Sequence, residues 1–335
     1  MAFDIKRGTN ISHWLSQSQR RGEARKAWFT REDVQRIADW GFDHLRIPVD
    51  EEQMWDERGN PDRRAFALLN TALDWCEELG LRAVVDVHIL RSHHFLDENP
   101  KLYRVPAEAG RFVGLWLYLS EELWERSTDL VAYELLNEAV APDPEDWNRV
   151  SRLVFNAVRK REPERTIILG SNQSCTPGTF AQLAVPKDNH CILTFHFYFP
   201  MLITHYTAPW TKIADYRGPV SYPGTIIAAG DLAAVTDAAL AAELAREHHA
   251  YDRAAMVAEL AKPLAVRAQT GYPLYCGEFG CYHQTPQPLR TAWYRDLIGV
   301  LNEHGIAWAN WDYKGDFGLL TPTGPDQKII DILLA

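Results

Sequence analysis

Glu138 ends the run Tyr133-Glu134-Leu135-Leu136-Asn137-Glu138, and Glu278 sits in Tyr275-Cys276-Gly277-Glu278-Phe279-Gly280. Both stretches read as buried strands that release a carboxyl at or near their ends. Two carboxyls facing across a cleft are what glycoside hydrolysis requires. One stays protonated to donate to the leaving oxygen while the other remains ionised. Six more residues close or follow apolar runs in the same way: Arg46, His88, Asn137, His196, Tyr198 and Trp311. Each alone has a plain structural reading. A strand-end Arg or His is more often a hydrogen-bonding group, and a strand-end Glu can close a barrel by pairing with Arg46. Eight such residues converging from several strands favour a site.

The elements that must position them are legible as an alternation. Short apolar runs at 4–12, 44–49, 83–88, 131–137, 166–171, 191–198, 274–279 and 307–311 are predicted strands. Helical patterns lie between most of them, at 30–40, 64–79, 146–160 and 288–304, with a short final helix at 329–334. Thr30 and Asp33 form a T-x-x-D start, and Gly41, Gly80 and Gly305 supply stops. Doubly buried strands alternating with helices indicate an α/β fold of parallel units, and eight of them make a closed (β/α)8 TIM barrel. A doubly wound open sheet is the runner-up, but the sequence has neither G-x-G-x-x-G after the first strand nor a phosphate-binding G-x-x-x-x-G-K-[ST]. In such a barrel, polar strand-end residues face the active-site mouth, and the ends of strands four and seven face one another.

A single domain is expected over 1–335, with an insertion-like elongated loop after strand six at about 199–250. Its aromatic half (Tyr206, Trp210, Tyr216, Tyr222, Pro223, Gly224) is expected to wall a cleft. Its Ala-rich half, 231–250, reads as a helical surface excursion.

Composition narrows the partners. The 335 residues are 46% hydrophobic with net charge −10, which disfavours nucleic acid and anionic membrane surfaces. No apolar run approaches the roughly 20 residues needed to span a bilayer. Five cysteines without C-x-x-C spacing suggest free buried thiols. No signal peptide is visible after Met1, which leaves two expectations open: a cytoplasmic protein if this is the full native chain, a secreted one if an export signal has been trimmed. Twelve Trp is an excess that suits either packing or the stacking of sugar rings.

In order along the chain, R-I-P at 46–48, L-L-N-E at 135–138, H-x-Y at 196–198, G-E-F-G at 277–280 and Trp311 resemble glycoside hydrolase family 5. This is the cellulase family within the retaining clan of (β/α)8 enzymes, and Arg7-Gly8-Thr9-Asn10-Ile11-Ser12-His13-Trp14 is similar to its opening strand. The resemblance implies Glu138 as acid/base and Glu278 as nucleophile. It implies Asn137 on the sugar 2-hydroxyl, Tyr198 and Arg46 on the nucleophile, His88 and His196 as flanking imidazoles, and Trp311 as the stacking floor. It further implies a retaining β-glycoside hydrolase acting without cofactor or metal on a β-linked glucan or related polysaccharide or oligosaccharide. A catalytically inactive sugar-binding barrel and an exo-acting β-glycosidase on small oligosaccharides are the alternatives; a metal-dependent barrel hydrolase is a weaker one.

Physical expectations accompany those roles. Arg46 and Tyr198 should lower the Glu278 pKa, the opposing charge should raise that of Glu138, and retention requires the carboxyls about 5–5.5 Å apart. Weaker signals are His93 and His94 in Arg91-Ser92-His93-His94, read as sugar-binding rather than metal-binding because adjacent residues do not readily face one ion. His205 and Trp210 in the long loop are further subsite candidates. Trp308 is turned away from Trp311 by strand alternation, and the helical tryptophans (28, 40, 75, 116, 124, 147 and 293) are assigned to packing.

Overall fold

Eight parallel strands pair in sequence order and close on themselves, β8 lying against β1. They are β1 (Arg7–Asn10), β2 (His44–Val49), β3 (Arg82–Val87), β4 (Val131–Glu134), β5 (Ile167–Gly170), β6 (Cys191–Phe197), β7 (Leu274–Phe279) and β8 (Ala307–Asn310). The computed structural model describes residues 3–335. Every expected strand is present; β2 and β7 coincide with their apolar runs, whereas β4, β6 and β8 stop short and free the last residues of theirs.

Side-chain alternation builds the interior in layers. Val84, Ala132, Ile168, Ile192, Tyr275 and Ala309 form an apolar cluster joined by Phe3 and Ile5. Two residues further along their strands come Asp86, Glu134 and Thr194, all buried. Arg46 lies in mid-β2, not at its end, and is fully buried. The barrel therefore carries a charged layer between its apolar plug and its mouth.

Helices Arg31–Trp40, Arg63–Glu78, Pro144–Arg161, Gln287–Glu303 and Gln327–Leu334 lie where the sequence places them, within three residues at each end. Thr30 and Asp33 form a capping box, and Gly41 adopts the left-handed conformation that ends the helix (φ 100°). A long helix at Pro106–Leu123 had no counterpart in the sequence reading. Its run Leu115-Trp116-Leu117-Tyr118-Leu119 is apolar around the whole turn, so the one-sided period that signals a packed helix is blurred.

The excursion after β6 differs from expectation. The Ala-rich stretch is two helices, Ala229–Ala233 and Ala238–Arg246, the second capped by Asp237. A small antiparallel pair, Gly224–Thr225 with Ala250–Tyr251, ties the excursion off. Its tyrosines serve packing: Tyr206 and Tyr216 donate to the Gly218 and Pro219 carbonyls, and Tyr222 to Asp296. Of its named aromatics only Trp210 lines the cleft, whereas the Ala-rich half contributes Glu243, Arg246 and Glu247 to the rim. All five cysteines are free and buried.

The second glycine of G-E-F-G has a packing reason. A Cβ on Gly280 would collide with the Trp311 carbonyl oxygen and come within 3.0 Å of Phe317. Gly280→Ala is therefore expected to cost about 1–3 kcal/mol through overpacking and to displace Trp311. Denaturant unfolding reads the first effect, and a rise in KM reads the second.

Candidate active site

Arg46 occupies the centre. Its Nε and Nη2 donate to the two oxygens of Glu134 (2.8 Å each), a bidentate pair. Nη1 donates to Glu278 Oε1 (2.7 Å) and Asn10 Oδ1 (2.9 Å). Nη2 also reaches Asn137 Oδ1 (3.0 Å) and Asp86 Oδ2 (3.1 Å). The other Glu278 oxygen accepts from the Tyr198 hydroxyl (3.0 Å), so both oxygens of this carboxyl are held. Asn137 spends its carbonyl on Arg46 and keeps its amide hydrogens for a ligand.

Glu138 lies beyond the last paired residue of β4, with a left-handed backbone (φ 43°) unusual for a side-chain-bearing residue. Such strain persists where surroundings over-determine it, and it clusters at functional sites. His196 Nδ1 is 2.9 Å from Glu138 Oε1 and 3.5 Å from Glu278 Oε2. One oxygen of each glutamate and a ring nitrogen of His196 lie within 4.8 Å of one another. This trio is the one such group among the described residues that could converge on a cation, but Arg46 and Tyr198 already occupy both oxygens of Glu278.

His88 directly follows β3, its Nδ1 2.7 Å from Asp86 Oδ2. Its ring stacks on Trp311 at 5.5 Å and 7°. Trp311, 7% exposed, belongs to an aromatic group with Phe317, Tyr282 and Tyr198. His88, Tyr198, Trp311 and Phe317 line, with Glu138 and Glu278, a cleft of about 680 Å³. Trp308 points away into the core, as alternation requires.

Burial dominates the electrostatics. It pushes the Glu138 carboxyl up to about 8, only partly opposed by Arg46 and reinforced by Asp86 and Glu134. The expected lowering at Glu278 is not found. Burial raises this carboxyl too, against the opposing pull of His196 and Arg46, because the desolvation of a closed barrel mouth outweighs the cation. Desolvation likewise holds His88 and His196 neutral by lowering both, and lifts Asp86 to about 7.

The subsite candidates divide. His205 and Trp210 line the cleft, edge to face at 6.2 Å. His93 and His94 do not. His93 is buried, packs on Tyr103, and its Nε2 accepts from the Val140 N–H (3.3 Å), which steadies the chain just past Glu138. His94 accepts from the Leu96 N–H and stacks on Phe95. In this turn Phe95 and Leu96, rather than His93 and His94, face the cleft. Sequence reasoning missed Asp86 and Glu134, whose signal was an acidic residue at an inward position of an apolar strand. It also missed Gln17, which carries no such signal.

A parallel barrel with paired carboxyls at the ends of β4 and β7 defines a barrel glycosidase. Residues 8–316 match the family model described as cellulase, glycosyl hydrolase family 5. The chain belongs to glycoside hydrolase family 5 and is a retaining β-glycoside hydrolase, retention being general to that family. It is 29% identical to Endoglucanase C of Acetivibrio thermocellus, with 98% of each chain covered. It is 28% identical to Cellodextrinase A of Ruminococcus flavefaciens, covering 90% of this chain and 84% of that one. The fold superposes on a hyperthermophilic endo-β-1,4-glucanase solved with substrate, at TM-score 0.77 and 20% identity over 98% of this chain and 96% of that one.

Removing the central cation strands buried carboxylates. Arg46→Leu is expected to cost about 3–5 kcal/mol near neutral pH. Without Arg46 the native carboxyls bind protons above their unfolded-state pKa values, so native-state protonation exceeds unfolded-state protonation and the penalty shrinks as pH falls. Denaturant unfolding of variant and parent at pH 7.5 and 5.5 measures this, and an equal penalty at both would contradict it.

Proposed function

We propose that this chain hydrolyses a β-linked glucan, or oligosaccharides derived from it, with Glu138 as acid/base and Glu278 as nucleophile. The observation that carries the assignment is the pair itself. Glu278 is gripped on both oxygens by Arg46 and Tyr198 and faces a Glu138 oxygen within 4.8 Å. That approach suits direct attack on the anomeric carbon and leaves no room for the interposed water of inversion. The glucan preference is supported by the names of the endoglucanase and cellodextrinase relatives.

In the first step Glu278 attacks the anomeric carbon while Glu138, protonated at neutral pH, donates to the leaving oxygen. Asn137 offers its amide to the 2-hydroxyl, and Trp311 supports the ring. The glycosyl ester formed on Glu278 carries no charge, so ionising Glu138 no longer places two carboxylates side by side, and Glu138 can take a proton from water. Water then opens the ester and restores both groups. A binding-only barrel has no use for a carboxyl held on both oxygens opposite a second one kept protonated.

The profile of kcat/KM against pH is expected to fall on the alkaline side near pH 8, as Glu138 loses its proton. In Glu138→Ala that limb disappears. The variant is expected to lose about 10²–10⁴-fold on cellooligosaccharides, and far less on an aryl cellobioside whose leaving group needs no proton. Equal losses on both substrates would sink the acid/base role. A 2-deoxy-2-fluoro glycoside is expected to label Glu278, read by peptide mass, and labelling elsewhere would overturn the nucleophile assignment.

A further inference from the structure

The segment after β1 reaches the cleft through a residue with no assigned role. Gln17 lines the cleft and, like Glu138, has a left-handed backbone (φ 48°). That conformation is held from β2's end. Asp50, 2% exposed, donates its N–H to the Leu15 carbonyl (2.9 Å), and its Oδ2 accepts the Gln17 N–H (2.6 Å). A short bond to a buried carboxyl fixes where the Gln17 side chain begins.

The direction of its amide is set from β3. The Gln17 Nε2 lies 2.8 Å from His88 Nε2. On its other side, the His88 Nδ1 lies 2.7 Å from Asp86 Oδ2, which also receives Arg46. Asp86 Oδ2 faces the Arg46 guanidinium, which can only donate, so this oxygen meets His88 as an acceptor too; Nδ1 carries the ring hydrogen and Nε2 of the neutral ring is an acceptor. Gln17 must therefore donate to it, and the amide carbonyl is left as an acceptor on the cleft wall. The His88 ring stacks parallel to Trp311, so this carbonyl belongs to the same sugar position as the floor.

We propose that Gln17 is a specificity-determining residue that accepts a hydrogen bond from one hydroxyl of the sugar lying against Trp311 and His88. Asp50 and Asp86 are its positioning residues, one for the backbone and one, through His88, for the amide. This rests on the reading of Glu138 and Glu278 as the catalytic pair. A site built around such an acceptor discriminates against an analogue lacking the matching hydroxyl, because its polar group is then left unpaired.

The test compares the full-length chain with Gln17→Ala on p-nitrophenyl β-cellobioside and its monodeoxy analogues. Gln17→Ala is expected to lower kcat/KM about tenfold on the parent glycoside, the scale of one neutral hydrogen bond. On one monodeoxy analogue the two enzymes should agree within about threefold, and that analogue identifies the hydroxyl. An equal loss on every analogue, or no loss on any, overturns the proposal. Labelling of Glu278 by the 2-fluoro glycoside in both proteins keeps the two readings apart, since a failed Gln17 role would leave that labelling intact. Asp50→Ala, which removes the acceptor of the Gln17 N–H, is expected to reproduce the analogue-selective loss, and a uniform loss there removes its positioning role.

Discussion

One buried guanidinium organises the mouth of this barrel. Asp86, Glu134 and Glu278 share an interior that strongly penalises isolated carboxylates, and they share it around Arg46. The fork of the side chain matters as much as its charge. Locking Nε and Nη2 on Glu134 fixes the guanidinium plane, and that plane aims Nη1 at Glu278 and Asn10, and Nη2 at Asn137. A lysine would supply the charge as a point, without the directions.

The positions of the other groups follow from that plane. Asn137 is pinned by its side-chain carbonyl to Arg46 and by its N–H to the Val87 carbonyl (2.9 Å). The next residue must turn at once for its carboxyl to face β7, and Glu138 takes a positive φ to do so. Val140, anchored to His93, limits how far the chain can relax that turn. On the opposite side, Asp86 links the same cation to His88, and the His88 ring lies flat against Trp311. Trp311 and Glu278 are thus registered to one another through three polar contacts and a stack.

The barrel was readable because its strands are doubly buried and its helices are punctuated, as at Thr30, Gly41 and Gly305. The candidate cleft residues were readable because Glu138, His196, Glu278 and Trp311 interrupt or end runs that are otherwise apolar. Legibility failed for different reasons elsewhere. Helix Pro106–Leu123 is apolar around too much of its circumference to show a face. His93 and His94 are chemically apt but sit on a turn whose direction no local pattern reveals. Gln17 lies in a loop without period, and its role depends on contacts with residues 33 and 71 positions away. Asp86 and Glu134 were visible as acidic residues in apolar strands, yet only the closed barrel shows that they meet the same cation.

The misjudged electrostatics of Glu278 is the more instructive failure. Sequence supplies the charged neighbours but not the depth of burial, and here burial outweighs a guanidinium at 2.7 Å. The catalytic requirement is a difference between two carboxyls rather than a low value at one of them. Glu278 has both oxygens occupied by donors that prefer its ionised form. Glu138 has His196, held neutral by burial, and a surrounding set of acids that disfavour a further charge. Proton and charge are therefore separated by hydrogen bonding within one equally dry site. Displacement of remaining water by a sugar raises the cost of charge on both, but it strengthens the bonds to Glu278 as well, so the separation widens when the substrate is in place.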